Sequence, residues 1–352
     1  MKKTIFLIVL VLLGFLLFYS NQGDSTFSKE LSNFAIQDTS IIKKVFFADK
    51  HGNSLTITKK NNNKWLVNDK FIARSESVNF MLKTMKDIEV KYPVSNNLHD
   101  RIIKNLATSS VKVEIFTNKL NEASKTYYVG GESKDMIGSY MLLENSSRAF
   151  VVYIPGFNGF LAPRFTIDGT KVSSDLWRDR TIFSYDSKDI KTIDVINHDN
   201  PTKSFKINRK DNFYTLIKNK KKYTLNKNQS QEYLHLFKSV KCEGFMNEFS
   251  KKDSIFESKP YYTIKITDNK NNRDSLVAFH KEAENLEYLD KNGKEIKYDV
   301  DRMYAKYNND LILIQFYIFD KILLRKQNFL LKNNWKMYPF KDAISYIFDL
   351  LK

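Results

Sequence analysis

A chain of 352 residues, with a leader of about 40 set aside, has room for roughly two domains of ordinary size. At 42% apolar and 14% aromatic it can bury a sizeable core, which excludes wholesale disorder. The charge is lopsided: 57 Lys+Arg against 40 Asp+Glu leave +17. One cysteine, Cys242, excludes an intrachain disulfide framework and every multi-cysteine zinc or iron–sulfur site, and five scattered histidines and 11 glycines leave no metalloenzyme box or Gly-rich nucleotide loop.

Met1-Lys2-Lys3 is a short basic region, followed by an apolar or near-apolar run from Thr4 to Tyr19. As a helix those 16 residues span about 24 Å, slightly less than a hydrocarbon core of ~30 Å. Signal cleavage wants small residues at −3 and −1, but Ser20 has Phe18 at −3 and Gly23 has Asn21. The expectation is an uncleaved signal anchor, residues 1–20, set in the inner membrane through Ile5–Tyr19; a cleaved signal with secretion to the periplasm stays open. No cysteine follows the run, which excludes a lipoprotein anchor. With Lys2 and Lys3 retained in the cytoplasm, the bulk of the chain is expected in the periplasm, behind a polar tether over 21–40.

The body starts with short period-two runs at Ile41–Phe47, Ser54–Thr58 and Lys64–Val67, separated by the turn residues His51-Gly-Asn and Asn61-Asn-Asn. A helix follows, with Ser75 as its expected cap and Val78, Met81, Leu82, Met85 and Ile88 along one face. Strands are expected at Val111–Phe116, Ser139–Leu143 and Ala149–Ile154. A second pass begins near Asp189, with strands at Ile190–Val195, Ser204–Ile207 and Asn212–Ile217. Its helix opens on Asn228 and Gln231 in capping-box spacing and carries Leu234, Phe237 and Val240 on one stripe. Tyr262–Ile266, Arg302–Lys306 and the nine-residue run Leu311–Phe319 read as further strands, and Trp177-Arg178 and Trp335-Lys336 close the two passes. Val45 and Val195, Val113 and Ile264, Tyr140 and Met303, and Trp177 and Trp335 stand 150 to 163 residues apart in conserved order. The expected fold is α+β: two tandem, duplicated, mainly antiparallel β-rich units, 41–185 and 186–352, each with one or two packed helices, after an N-terminal transmembrane helix.

The most unusual segment joins the halves, Tyr153-Ile-Pro-Gly-Phe-Asn-Gly-Phe-Leu-Ala-Pro-Arg-Phe165 and then Leu176-Trp-Arg-Asp-Arg-Thr-Ile-Phe183. Pro155-Gly156 ends a strand, and Gly159 allows a second sharp bend. Arg164, Arg178 and Arg180 with Asp179 either brace a junction or present a fork to an anion. The candidate junction or ligand-contact residues are therefore Tyr140, Gly156, Gly159, Arg164, Trp177, Arg178, Asp179 and Arg180.

At these residues, Gly138-Ser-Tyr-Met-Leu-Leu, Tyr153 to Gly159, Pro163-Arg164-Phe165 and Trp177 to Phe183 with Ile190 to Val195 behind them, the chain resembles a known family over about Ile41 to Val240. It is the domain of unknown function found in envelope proteins of Gram-negative bacteria, often beside auxiliary subunits of ABC-type export and gliding-associated systems. The resemblance implies location and company, a membrane-anchored extracytoplasmic protein accompanying a transport or envelope assembly, and carries no catalytic residue.

Enzyme signatures are missing. The chain has no Gly-x-Ser-x-Gly elbow and no histidine pair at i, i+4 with a Glu, so no catalytic, metal or cofactor residue is assigned. His51, His99, His198, His235 and His280 read as surface or half-buried residues, Asp268–Asp274 as a hairpin turn and Asp299/Asp301 as a solvated face. Lys218, Lys220, Lys221 and Lys222 form the densest basic run, in an expected hairpin. On an exported chain this fits an anionic surface or compositional drift rather than nucleic acid. The expected function is a non-enzymatic accessory or scaffold subunit with a protein partner in a membrane complex. The alternative is a periplasmic ligand-binding module holding an anionic glycan, lipid headgroup or peptide through Arg164, Arg178 and Arg180.

Overall fold

Alternation of apolar and polar residues sets the first strand. In the computed structural model, which describes residues 32–61, 63–167, 171–210, 213–283 and 296–324, strand β1 (Lys44–Ala48) buries Val45 and Phe47 and leaves its other side chains half-exposed. The chain divides into two compact units, Met1–Asp179 and Arg180–Lys352.

In unit 1, β1 is followed by β2 (Ser54–Lys59), β3 (Trp65–Val67), β4 (Phe71–Ile72), helix α1 (Ser75–Asp87), β5 (Glu89–Pro93), helix α2 (Asn96–Ser109), β6 (Val111–Phe116), β7 (Lys125–Glu132), β8 (Ser139–Leu143) and β9 (Phe150–Tyr153). The strands form one antiparallel sheet in the order β4-β3-β2-β1-β6-β7-β8-β9-β5. Central β1 sets Val45 between Ile57 and Ile115, and Phe47 between Leu55 and Val113, so the apolar rows of three strands coincide on one face. That face is covered by α1, which buries Val78, Met81 and Met85. Ser75 is not the cap of α1: Arg74 is, without a side-chain cap bond. Residues 72–74 are held extended instead, with Arg74 N–H donating to the Trp177 carbonyl at 2.8 Å and Ala73 bridged to Arg178.

The sequence reading has no counterpart to α2. Only Ile102 and Leu106 of its 14 residues are buried, a stripe too thin to stand out. It packs on the outer face of the sheet with Val94 and Ala149, and comes so close to β7 that a Cβ on Gly130 would lie 2.5 Å from Leu106 Cδ2. The stretch 21–40, read as a polar tether, enters the description at Ser32, and Phe34 and Ile36 are buried in the core of unit 1.

After two short helices, α3 (Ala162–Thr166) and α4 (Ser174–Trp177), unit 2 runs through β10 (Thr181–Phe183), β11 (Ile190–Asn197), β12 (Phe205–Lys210), β13 (Phe213–Lys218), β14 (Lys221–Leu225), helix α5 (Lys227–His235), β15 (Val240–Lys241) and β16 (Gly244–Phe245). It continues with helix α6 (Lys252–Glu257), β17 (Tyr262–Asp268), β18 (Arg273–Glu282), β19 (Tyr298–Tyr307), β20 (Asp310–Gln315) and helix α7 (Phe316–Ile322). Its sheet is again antiparallel, in the order β14-β13-β12-β11-β17-β18-β19-β20-β16, strand for strand the order of the first. β10 and β15 pair separately.

Three expectations change here. Asn228 lies inside α5, which starts at Lys227, and the stripe Leu234, Phe237, Val240 is divided among α5, a 3₁₀ turn at Leu236–Lys238 and β15. The run Leu311–Phe319 is not one strand: β20 ends at Gln315 and Phe316 opens α7. Leu311, Ile312, Phe316 and Phe319 are all buried, so apolar content does not change where the backbone does. The expected anchor over 1–20 and the Trp335-Lys336 pair lie outside the described residues. Among the described residues no helix is long and apolar enough to cross a membrane.

Candidate functional site

The segment after β9 builds a cleft in unit 1. The chain turns at Pro155-Gly156, with Phe157 N–H donating to the Ile154 carbonyl at 3.0 Å. Gly159 has φ +146°, and a Cβ there would stand 3.0 Å from the Phe157 ring, so a bare residue lets that ring fold back over the segment. Leu161 N–H is fixed by Ser139 Oγ at 2.8 Å, and Phe165 of α3 is buried edge-on against Tyr127 at 5.8 Å between centroids. With Phe165 committed to the core, Arg164 beside it reaches toward α1. Its guanidinium carbon lies 4.2 Å from the Phe80 ring centroid and 4.0 Å from that of Phe157, a cation between two aromatic faces.

The polar partners of Arg164 are few. Nη1 donates to Thr84 Oγ1 at 3.4 Å, while that hydroxyl donates to the Phe80 carbonyl at 2.8 Å. Nε is buried with no hydrogen-bond partner. Asp87 attracts it from a distance, but the Asp87 carboxylate is engaged by Lys83 at 2.6 Å. Desolvation pushes the Arg164 pKa below its ordinary value, and the Asp87 charge opposes this. The cleft around it encloses about 580 Å³ and is walled by Phe80, Phe157, Phe160, Ile167 and Trp177, with Arg74, Glu76 and Ser77 also lining it. Phe80 and Phe160 are 47% and 40% exposed.

The eight candidate residues are not one cluster. Gly159, Arg164 and Trp177 line the cleft, Trp177 stacked on Phe47 at 5.6 Å. Arg178 is 6% exposed, lies 3.7 Å over the Phe71 ring and pairs with Asp175 at 3.1 Å. Asp179 N–H bonds the Ile72 carbonyl at 2.8 Å. Gly156 is an exposed turn residue, and Tyr140 packs on the other face of the sheet, beside Ile102 and Leu106 of α2. Arg180 belongs to unit 2, where its carbonyl accepts from Cys242 N–H at 2.9 Å. The expected three-arginine fork is therefore carried by Arg164 alone in the cleft. Phe80 and Phe160 were missed; Phe80 stood as an aromatic residue off the apolar stripe of α1, which is a readable signal.

Unit 2 has a cavity of about 1010 Å³, and its lining cations Lys281 and Arg302 are both held in ion pairs within the unit. Lys281 pairs with Asp299 at 3.1 Å and Arg302 with Glu243 at 2.9 Å. Asp299 also accepts from the backbone N–H of Asp301 and Arg302, so Asp299 and Asp301 are not a carboxylate pair facing one ligand. His280 is stacked between Tyr261 and Tyr298, at 3.9 and 4.1 Å, and bonds Asp199 at 2.7 Å. Asp268 closes a hairpin by accepting from Lys270 and Asn272 N–H. Among the described residues no three His, Cys, Asp or Glu side chains are grouped to hold a metal. Cys242 is buried.

Fold and site define a class: a β-rich α+β protein of two like-ordered antiparallel sheets, with an aromatic, arginine-bearing cleft on the first. A family model described as a domain of unknown function (DUF4340) matches residues 56–259, more than half of the chain, and the chain belongs to that family. No curated protein and no solved structure matches it.

Proposed function

We propose that this chain is a non-enzymatic, membrane-anchored accessory protein of a bacterial envelope or transport assembly. In this reading Ile5–Tyr19 holds it in the inner membrane, the bulk of the chain is periplasmic, and the cleft of unit 1 docks a protein partner. The observation that carries it is the pair of exposed rings, Phe80 and Phe160, beside a guanidinium that has no carboxylate in contact among the described residues. Exposed apolar patches with a polar rim mark interaction sites, and aromatic and arginine side chains supply most binding hot spots. The basic N-terminus before an apolar run and the resemblance to envelope proteins support the location. The like strand order of the two sheets supports a tandem duplication.

A second reading, a periplasmic module for an anionic glycan, lipid headgroup or peptide, draws on the same Arg164, which makes no ion pair among the described residues. The test of the first is a photo-crosslinking residue at Phe160 in intact membranes. A defined envelope or transport protein joined to the chain supports docking; efficient crosslinking that yields only uncoupled chain overturns it.

A further inference from the structure

We infer that the cleft of unit 1 takes the carboxyl terminus of an apolar polypeptide, with Arg164 receiving the carboxylate and Phe80, Phe157 and Phe160 packing the last side chains. This rests on the docking reading above and supplies its chemistry.

Charge decides first. A guanidinium has five N–H donors in a fixed fork that matches a carboxylate two bonds at a time. Among the described residues the only hydrogen bond of Arg164 is the long one to Thr84 at 3.4 Å, Nε is shut away unbonded, and Asp87, whose charge attracts it, is held by Lys83. The ring sandwich offsets part of the cost of a desolvated cation, but leaves the Nη donors without an acceptor of matching charge. A phosphate calls for several cations or a run of backbone N–H groups; here one stacked arginine faces mostly apolar walls. The second arginine, Arg74, donates to the Leu176 carbonyl at 3.4 Å, and Glu76 on the rim repels a doubly charged phosphate more than a single carboxylate.

Volume and polarity decide the rest. About 580 Å³ falls within the range of small-ligand sites, enough for a carboxylate and two side chains. An internal Asp or Glu would drag flanking peptide groups into the apolar walls without partners, at a desolvation cost a terminus largely avoids. A fatty acid would fill the walls but offer the Ser77 hydroxyl nothing to bond, whereas the last amide groups of a peptide supply donors and acceptors for a group of that kind.

The experiment uses the full chain in detergent, immobilised and exposed to a pool of tetrapeptides of Ala, Val, Leu and Phe. Every sequence is present both with a free carboxylate and as its amide, and laurate is offered in a parallel arm. Charge-assisted hydrogen bonding predicts enrichment of acids over amides of at least about tenfold. Arg164→Lys keeps the charge but loses the fork and the stack, and is expected to reduce that preference to within about threefold. The acid-to-amide ratio on the unaltered protein decides even if that variant fails to fold. Equal retention of acids and amides, or retention of neither, overturns the inference; so does laurate held more tightly than every peptide. A partner crosslinked at Phe160 with equal retention of acids and amides would leave the docking reading standing. Acid enrichment with no crosslinked partner would remove the docking reading and keep the cleft chemistry.

Discussion

The ammonium of Lys125 lies 2.6 Å from the carbonyl oxygen of Ala35, and it reaches the Asn33 carbonyl at the same distance. A strand lysine thus clasps the segment around Asn33 and Ala35 through two backbone carbonyls and the Asn33 side-chain amide oxygen at 3.1 Å, with no carboxylate in contact among the described residues. Burial pushes its pKa down to about 8 from an ordinary 10.5. Between those values the unfolded chain binds the proton that the folded chain has released, so stability rises with pH across about 8 to 10.5. Lys125→Met removes this dependence. Denaturant unfolding at pH 7.5, 9 and 10 should show the unaltered protein gaining on the variant as pH rises; parallel profiles would mean Lys125 is not desolvated.

Phe34 belongs to the same clasp. It is 1% exposed and packs against Tyr127 and Phe150, with ring centroids 6.2 and 6.0 Å away. Phe34→Ala should cost about 3–5 kcal/mol of stability, as for other buried aromatic truncations. A change below about 1 kcal/mol would make this segment an ornament on unit 1 rather than part of its core.

On the opposite face, Gly130 lets α2 approach the sheet. A methyl group there would stand 2.5 Å from Leu106 Cδ2 and 3.1 Å from the Tyr140 carbonyl oxygen. Gly130→Ala is expected to destabilise by about 1–3 kcal/mol through overpacking. Leu106→Ala, itself costly, should make the second change cheaper, a coupling that a double-mutant cycle reads directly. Additive losses would show that the helix shifts to make room.

Much of the first sheet was legible because its inner strands alternate. β6 and β8 fall on their expected residues, and α1 keeps Val78, Met81 and Met85 inward. The repeat was legible in order but not in register. The sequence sets Val45 against Val195, yet in the sheets it is Phe47 that occupies the place of Val195, each opposite the first core residue past its hairpin, Leu55 and Phe205. A slip of two residues leaves every side chain on the same face, so alternation alone cannot detect it. The site was legible only in part. Arg164 and Gly159 stood out by type, but the cleft is completed by Phe80, from a helix about 80 residues away, and sequence adjacency drew in Arg178 and Arg180, which the backbone directs elsewhere.

Asp274 gives unit 2 a pH response of its own. Its carboxylate is half-buried between the hydroxyls of Tyr185 and Tyr307, which donate at 3.3 and 3.1 Å. Burial raises its pKa, and the hydrogen bonds oppose this without cancelling it. A carboxyl whose folded pKa exceeds its unfolded 3.8 contributes stability that is present below 3.8 and lost as pH rises through the folded value. Asp274→Asn can still accept from both hydroxyls and carries no charge to desolvate, and its loss of the Ser275 N–H bond to Oδ1 is the same at every pH. From pH 3.5 to 6 the unaltered protein should therefore lose ground against the variant, measured by Tm at each pH. A variant less stable by the same margin throughout would locate the value of Asp274 in its hydrogen bonds, not in a desolvated charge.

The net charge of +17 has one local expression in the second sheet. In the β13–β14 hairpin Lys218 stands directly opposite Lys221, with Lys220 in the turn at φ +62° and Lys222 next along the edge strand. Like charges directly opposed across an antiparallel pair repel, while lysines on an edge strand also discourage pairing with another chain. Lys221→Glu separates the two effects, because it replaces repulsion with attraction and keeps a charge on the edge. It should stabilise by about 0.2–1 kcal/mol at low salt. Most of that gain should vanish near 1 M salt, where the screening length falls to about 3 Å. A gain that survives high salt would mean the ladder improved through packing, and no gain at either salt would mean the two ammonium groups already splay apart into water.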